Sequence, residues 1–139
     1  MKTRQEKKDQ AKHVYDCFLQ ALYDHIGNGM TFDHTLNYMG QELFPSKWHG
    51  LFMRDAKYPE DQYCMVNTDV SGGPGVHWVA VADGYQYDSF GRKNILDNPK
   101  LRDTDHGAEQ IAAETDCGAR CLAWLCTVNM LGIDSAKLI

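Results

Sequence analysis

No stretch of this chain approaches the roughly 18 consecutive apolar residues of a membrane-spanning helix, so no membrane association is expected. The five cysteines are odd in number and show no C-x-x-C spacing, which argues against a disulfide framework. They point to a reducing intracellular compartment, where a free thiol stays reactive. The charged N-terminus, Met1 to Lys12, lacks an apolar core, so a secretory signal is not expected; Met1 fits a separately translated protein. There is no basic excess: the formal net charge is −5, and nucleic-acid binding is not expected from charge. The one basic cluster, Lys2 to Lys12, also holds Glu6 and Asp9 and reads as a solvated helix face. Repeats, low-complexity tracts and Pro/Ser-rich linkers are missing as well. What remains is an ordinary composition at 139 residues, enough for one domain, 1–139, to bury a core unaided. A monomer is expected.

Helical periodicity runs from about Thr3 to Ile26, with Val14, Phe18, Ala21, Leu22 and Ile26 at spacings of three and four; Gly27-Asn28-Gly29 stops it. The role of residues 1–30 is left open. A second helix is predicted over Asp33 to Leu43, with Asp33 as its N-cap and Leu36, Met39, Gly40 and Leu43 inward; Pro45 ends it. Tyr63 to Thr68 reads as a strand and Ser71 to Gly75 as a breaker loop. Val76 to Ala82 is an apolar strand, Asp83-Gly84 the best hairpin turn, and Tyr85 to Phe90 the returning strand. Gly91 to Gly107 is polar and poorly periodic. Cys117 to Leu131 is helical, with Cys121, Leu122, Leu125, Val128 and Met130 available for burial, and Gly132 stops it. The predicted class is α+β: an antiparallel central sheet with helices packed on it and the last helix buried across it.

Cys117, His77 and Asp88 are the residue types of a thiol nucleophile system. A cysteine attacks as thiolate, a histidine takes its proton, and a carboxylate orients the imidazole. The hairpin allows a geometric check. With a two-residue turn, Ala82 pairs with Tyr85 and Val79 lies opposite Asp88. His77 shares a face with Val79, so Asp88 is its diagonal neighbour, roughly 7–8 Å away at Cα. Cys117, followed by Gly118, stands where a helix begins, and the helix N-terminus favours thiolate. The Gly118 region and the side chain of Gln110 can donate to a developing oxyanion. Asp116 reads as a cap rather than a catalyst.

Each residue alone has a simpler reading. A cysteine at a helix start is more often structural, a histidine on an apolar strand more often a satisfied core or edge residue, and Asp88 could cap a strand end. Cys17, Cys64, Cys121 and Cys126 read as small buried hydrophobes. His13, His25, His34, His49 and His106 form no usable pattern. A zinc site from His77, Cys117 and Cys121 fits no accepted ligand spacing, and no metal is expected.

Four blocks in order resemble the adenain-type cysteine proteases, the maturation proteases of adenoviruses and of related viruses and mobile elements. They belong to a clan that also processes ubiquitin-like proteins. The blocks are Gly72-Gly73-Pro74-Gly75-Val76-His77-Trp78, then Tyr87-Asp88-Ser89-Phe90-Gly91, then Gln110, then Cys117-Gly118 with Cys121. The likeness covers about Tyr63 to Leu131 and extends more weakly to Phe44 through Pro59. It implies a papain-like core with the nucleophile at the N-terminus of a buried helix. It implies Cys117 as nucleophile, His77 as base, Asp88 as imidazole partner and Gln110 as oxyanion donor, with Trp78 holding the strand from its opposite face. Asp88 stands where adenovirus enzymes have Glu. The chain is also shorter and more acidic than those enzymes, and no cysteine lies in Lys93 to Gly107 to link an activating peptide. Neither a peptide nor a nucleic-acid activator is carried over, and no cofactor is required for the chemistry. The implied substrate is a capsid or other structural precursor, cut at small-residue, Gly-type sites in host cytoplasm or nucleus, with packaging in the virion. The alternatives are a deubiquitinase- or deSUMOylase-like peptidase, and a catalytically idle binding or scaffold protein on the same fold.

Overall fold

Thr3 opens the first helix, α1 (Arg4–Ile26), with a reciprocal cap: its hydroxyl accepts from the Glu6 N–H and its own N–H donates to the Glu6 carboxylate. Gly27, at φ 79°, ends α1 in a conformation that favours glycine. The computed structural model describes residues 1–73, 77–105, 107–110 and 115–139. The buried stripe of α1 is Ala11, Tyr15, Leu19 and Leu22, one position round from the expected one. Val14 and Phe18 lie half-buried at its margin and Ala21 is exposed. The rotation places the Tyr15 hydroxyl 2.8 Å from that of Tyr87.

The second helix, α2, spans Asp33–Leu43 as expected, but Asp33 is its first helical residue and Phe32 takes the cap position without a side-chain bond. The Asp33 carboxylate still sits in the first turn, where the helix dipole favours it. Gly40 is buried because Trp48 lies on it: a Cβ there would fall within 2.2 Å of the indole ring.

A five-stranded sheet follows, in spatial order β1 (Trp48–Met53), β2 (Tyr63–Asn67), β3 (Trp78–Ala82), β4 (Tyr85–Tyr87) and β5 (Arg102–Asp103). The expected antiparallel meander is its middle: β2–β3 and β3–β4 are antiparallel. The sheet as a whole is mixed, because the outer strands β1 and β5 pair in parallel with their neighbours. Parallel neighbours need crossovers. Residues 54–62 and 88–101 supply them, and both cross the face away from the long helices. There Tyr58, Leu96 and Leu101 cover Cys64, Val66, Val79 and Val81. The returning strand stops at Tyr87 rather than Phe90, since Asp88 turns the chain: the Gly91 N–H donates to the Asp88 carbonyl at 2.8 Å. Asp83 and Gly84, at φ 50° and 81°, make the tight turn, and Ala82 pairs with Tyr85 as expected.

On the other face, side chains two apart meet the helices: Tyr63 and Met65 from β2, Trp78, Ala80 and Ala82 from β3, and Tyr87 from β4. The third helix, α3 (Cys117–Leu131), packs against both β3 and α1. Alanines at 80, 82, 119 and 123, all fully buried, let it approach closely. It is buried on every side from Gly118 to Val128, and Trp124 stacks on Tyr87 with ring centroids 5.4 Å apart. Met130, expected inside, is 65% exposed, being past the end of that buried span. Gly132 ends α3, and a short α4 (Ile133–Ala136) brings the Ala136 carbonyl to the Trp124 indole N–H at 3.0 Å. Among the described residues no helix is long and apolar enough to cross a membrane.

Candidate active site

The hairpin delivers His77 and Asp88 to one place. His77 immediately precedes β3, Asp88 immediately follows β4, and both lie at the end of the hairpin away from its turn. The register Ala80–Tyr87 continues to Val79 opposite Asp88, which makes His77 the diagonal neighbour. His77 Nε2 lies 2.6 Å from Asp88 Oδ1, both side chains nearly inaccessible. A carboxylate only accepts, so Nε2 carries the proton and Nδ1 is left for the sulfur of Cys117, with which the imidazole also hydrogen bonds.

Cys117 is the first residue of α3 and is half-buried. Burial alone would push its thiol up. The His77 imidazole, the Trp78 backbone N–H and the Gly118 N–H outweigh that and hold it below the ordinary thiol value. Burial likewise depresses His77, but the Asp88 carboxylate and the Cys117 sulfur more than offset it and raise its pKa. The two shifts have the signs that favour a thiolate–imidazolium pair over thiol and neutral imidazole. Asp88 is pulled up by burial, yet hydrogen bonds from His77 and Arg92 hold it far below the usual carboxylate range. The other buried thiols differ: burial pushes Cys64 and Cys126 up to about 12 and Cys121 well above its ordinary value. Cys17 is exposed, contrary to its expected burial, because it lies on the outer face of α1.

The supporting positions are equally specific. Trp78 points to the helix face, opposite the strand face that carries Val79. Its peptide unit bridges to α3 twice, the N–H to the Cys117 sulfur and the carbonyl to the Cys121 thiol at 3.3 Å. Gly118 packs under α2: a Cβ there would come within 2.7 Å of Leu36 Cδ2. Gln110 is buried, and its side-chain oxygen accepts from the Ser89 hydroxyl. The N–H groups of Glu109 and Gln110 both donate to the Ser89 carbonyl at 2.9 Å. With Oε1 taken by Ser89, the amide nitrogen of Gln110 faces away from that hydroxyl. Asp116 occupies the cap position without capping; its carboxylate instead takes the Tyr23 hydroxyl and Arg120 Nε.

The structure thus brings Cys117, His77 and Asp88 into one hydrogen-bonded row and ties Gln110 to the residue after Asp88. Pro74, Gly75 and Val76, which belong to the glycine-rich block and the expected start of its strand, lie outside the described residues, as does His106. Sequence reasoning missed Arg92, which lies in the segment read as merely polar. An Arg four residues after Asp88 is the only local signal. It also missed Tyr15, Tyr23 and Arg120, whose link to the site is long-range. Among the described residues no group of three or more His, Cys, Asp or Glu side chains is placed to hold a metal. No family model, no curated protein and no solved structure matches this chain. Its class therefore rests on the fold and the site: a mixed α+β protein carrying a hydrogen-bonded Cys–His–Asp row at the start of its central helix.

Proposed function

We propose that the chain is a cysteine peptidase with a papain-like, adenain-like core. The observation that carries this reading is the imidazole of His77, set between the Asp88 carboxylate at 2.6 Å and a Cys117 thiol whose pKa is lowered. Asp88 fixes the Nε2–H tautomer, so Nδ1 faces the sulfur and takes its proton. The Cys117 thiolate attacks the scissile carbonyl carbon. Negative charge gathers on the carbonyl oxygen, where the N–H groups at the start of α3 and the Gln110 amide are the donors. The imidazolium returns its proton to the leaving amine, leaving a thioester. Water, deprotonated by His77, releases the acid and restores the thiol. In this reading the substrate is a structural precursor protein of a virus or mobile element, cut beside small residues, Gly above all.

The test is cleavage of a peptide library by the purified chain, with Cys117→Ala and His77→Ala alongside. Cuts next to Gly or other small residues, lost in both variants, are expected. Cleavage that survives Cys117→Ala would rule out Cys117 as the nucleophile.

A further inference from the structure

The segment from Asp88 to Arg92 is folded back on itself. Gly91, at φ 72°, lets the chain reverse, and its N–H closes the turn on the Asp88 carbonyl at 2.8 Å. The reversal presents Arg92 to Asp88 three times: the Arg92 backbone N–H reaches Oδ2 at 3.1 Å, its Nε reaches the same oxygen at 2.7 Å, and its Nη2 reaches Oδ1 at 3.5 Å. The other carboxylate oxygen, Oδ1, accepts from His77 Nε2 at 2.6 Å and from the Phe90 N–H at 3.2 Å. Each oxygen thus has two short donors, and rotation of the carboxylate away from His77 would break the Arg92 pair as well. The guanidinium also lies 5.1 Å from the centroid of the Phe90 ring, and that ring lies 4.8 Å from the imidazole of His77. Arg92 touches no part of His77 or Cys117 in these contacts, and its side chain is 47% exposed.

Resting on the reading of Cys117, His77 and Asp88 as the working site, we propose that Arg92 is its positioning residue. It locks the Asp88 carboxylate in the orientation that serves His77, and it presses the Phe90 ring over the imidazole. Arginine suits the task because a planar fork and a backbone N–H on the same residue fix an oxygen in two directions, whereas an ammonium fixes a charge but not an angle. The role is distinct from a through-space effect of charge, and the two have opposite signs. A bare positive charge near His77 disfavours imidazolium, so removing it would raise the midpoint of His77 ionisation. Loosening Asp88 withdraws the hydrogen bond that supports imidazolium and leaves burial to lower that midpoint. Among the described residues, the ionisable groups facing the imidazole are Asp88 and Cys117, with Arg92 behind Asp88. Cys121, close to Asp88 and Cys117, stays a neutral thiol.

The experiment is an NMR titration of the His77 ring Cε1–H in the full chain, for wild type, Arg92→Met and Arg92→Lys. Met keeps an unbranched stem over Phe90 and drops both charge and fork. The midpoint is expected to fall by about one pH unit in Arg92→Met, and by less in Arg92→Lys. A midpoint that stays at the wild-type value or rises overturns the proposal. Should Arg92→Met lose the wild-type amide spectrum, Arg92→Lys decides on the same sign. The titration needs no substrate. A lowered midpoint in a protein without peptidase activity keeps this inference and defeats the peptidase reading; activity with an unmoved midpoint does the reverse.

Discussion

Arg120→Met probes a chain of largely buried polar side chains that joins α1 to the start of α3. The Tyr23 hydroxyl and Arg120 Nε (3.1 Å) both donate to Asp116 Oδ2, Arg120 Nη1 lies 3.4 Å from the Tyr15 hydroxyl, and Tyr15 meets Tyr87 at 2.8 Å. The Asp116 and Arg120 side chains are only 1% and 10% exposed. Asp116 Oδ1 has no hydrogen-bond partner among the described residues, so the carboxylate depends on what reaches Oδ2. Removing the guanidinium strands a buried charge, which costs about 3–5 kcal/mol. For a chain of this size that lowers the melting temperature by about 10–15 °C. Thermal unfolding followed by circular dichroism at pH 7 measures it. Adding Asp116→Asn should recover much of the loss, because the penalty belongs to the unpaired charge and not to the missing side chain. A fall of less than about 3 °C in the single variant, or no recovery in the double, would mean that no buried charge is stranded at Asp116. Asp116 directly precedes Cys117, so the same network fixes the start of the helix that carries the proposed nucleophile.

Glu109 gives a pH-dependent prediction. Burial raises its pKa above the ordinary value, only partly offset by the Tyr87 hydroxyl, and its Oε1 lacks a partner among the described residues. A carboxyl with a raised folded pKa stabilises fully below its unfolded value and loses that contribution as pH rises through the folded one. Glu109→Gln should therefore raise the melting temperature at pH 7.5 and change it little at pH 4; an equal offset at both would contradict the sign. Gln110→Ala should slow peptide turnover by about 10²–10³-fold while leaving Cys117 alkylation unchanged, since alkylation builds no oxyanion. Equal losses in both assays would contradict the proposed role of Gln110 as an oxyanion donor. Gly118→Ala should destabilise by about 1–3 kcal/mol in urea unfolding through contact with Leu36. The cost should shrink in a Leu36→Ala background, and an unchanged cost there would place the clash elsewhere.

The parts of this molecule legible in its sequence are those fixed by neighbours along the chain. The bounds of α2, the Asp83–Gly84 turn and the stop at Gly132 follow from local backbone preference, and the hairpin register follows from the turn alone. That register is what brings His77 to Asp88. The outer strands were not legible. β1 carries a shift in register between Trp48 and Leu51, with Gly50 at φ 114°, which breaks the two-residue alternation. β5 has only two residues. Their parallel pairing depends on crossovers whose few buried side chains, such as Tyr58 and Leu96, give no periodic signal. Arg92 was hidden for a related reason: its partner is set by a reversal at Gly91, and a polar loop shows no pattern until it is folded.

Labelling with iodoacetamide at pH 6 asks whether His77 holds Cys117 as a thiolate. Labelling is followed residue by residue in wild type and His77→Ala, with exposed Cys17 of the same molecule as the reference thiol. Cys117 is expected to label much faster than Cys17 although it is the more buried of the two, and the advantage is expected to disappear in His77→Ala. Labelling of Cys117 no faster than Cys17 in wild type, or an advantage that survives His77→Ala, would rule out a thiolate held by His77.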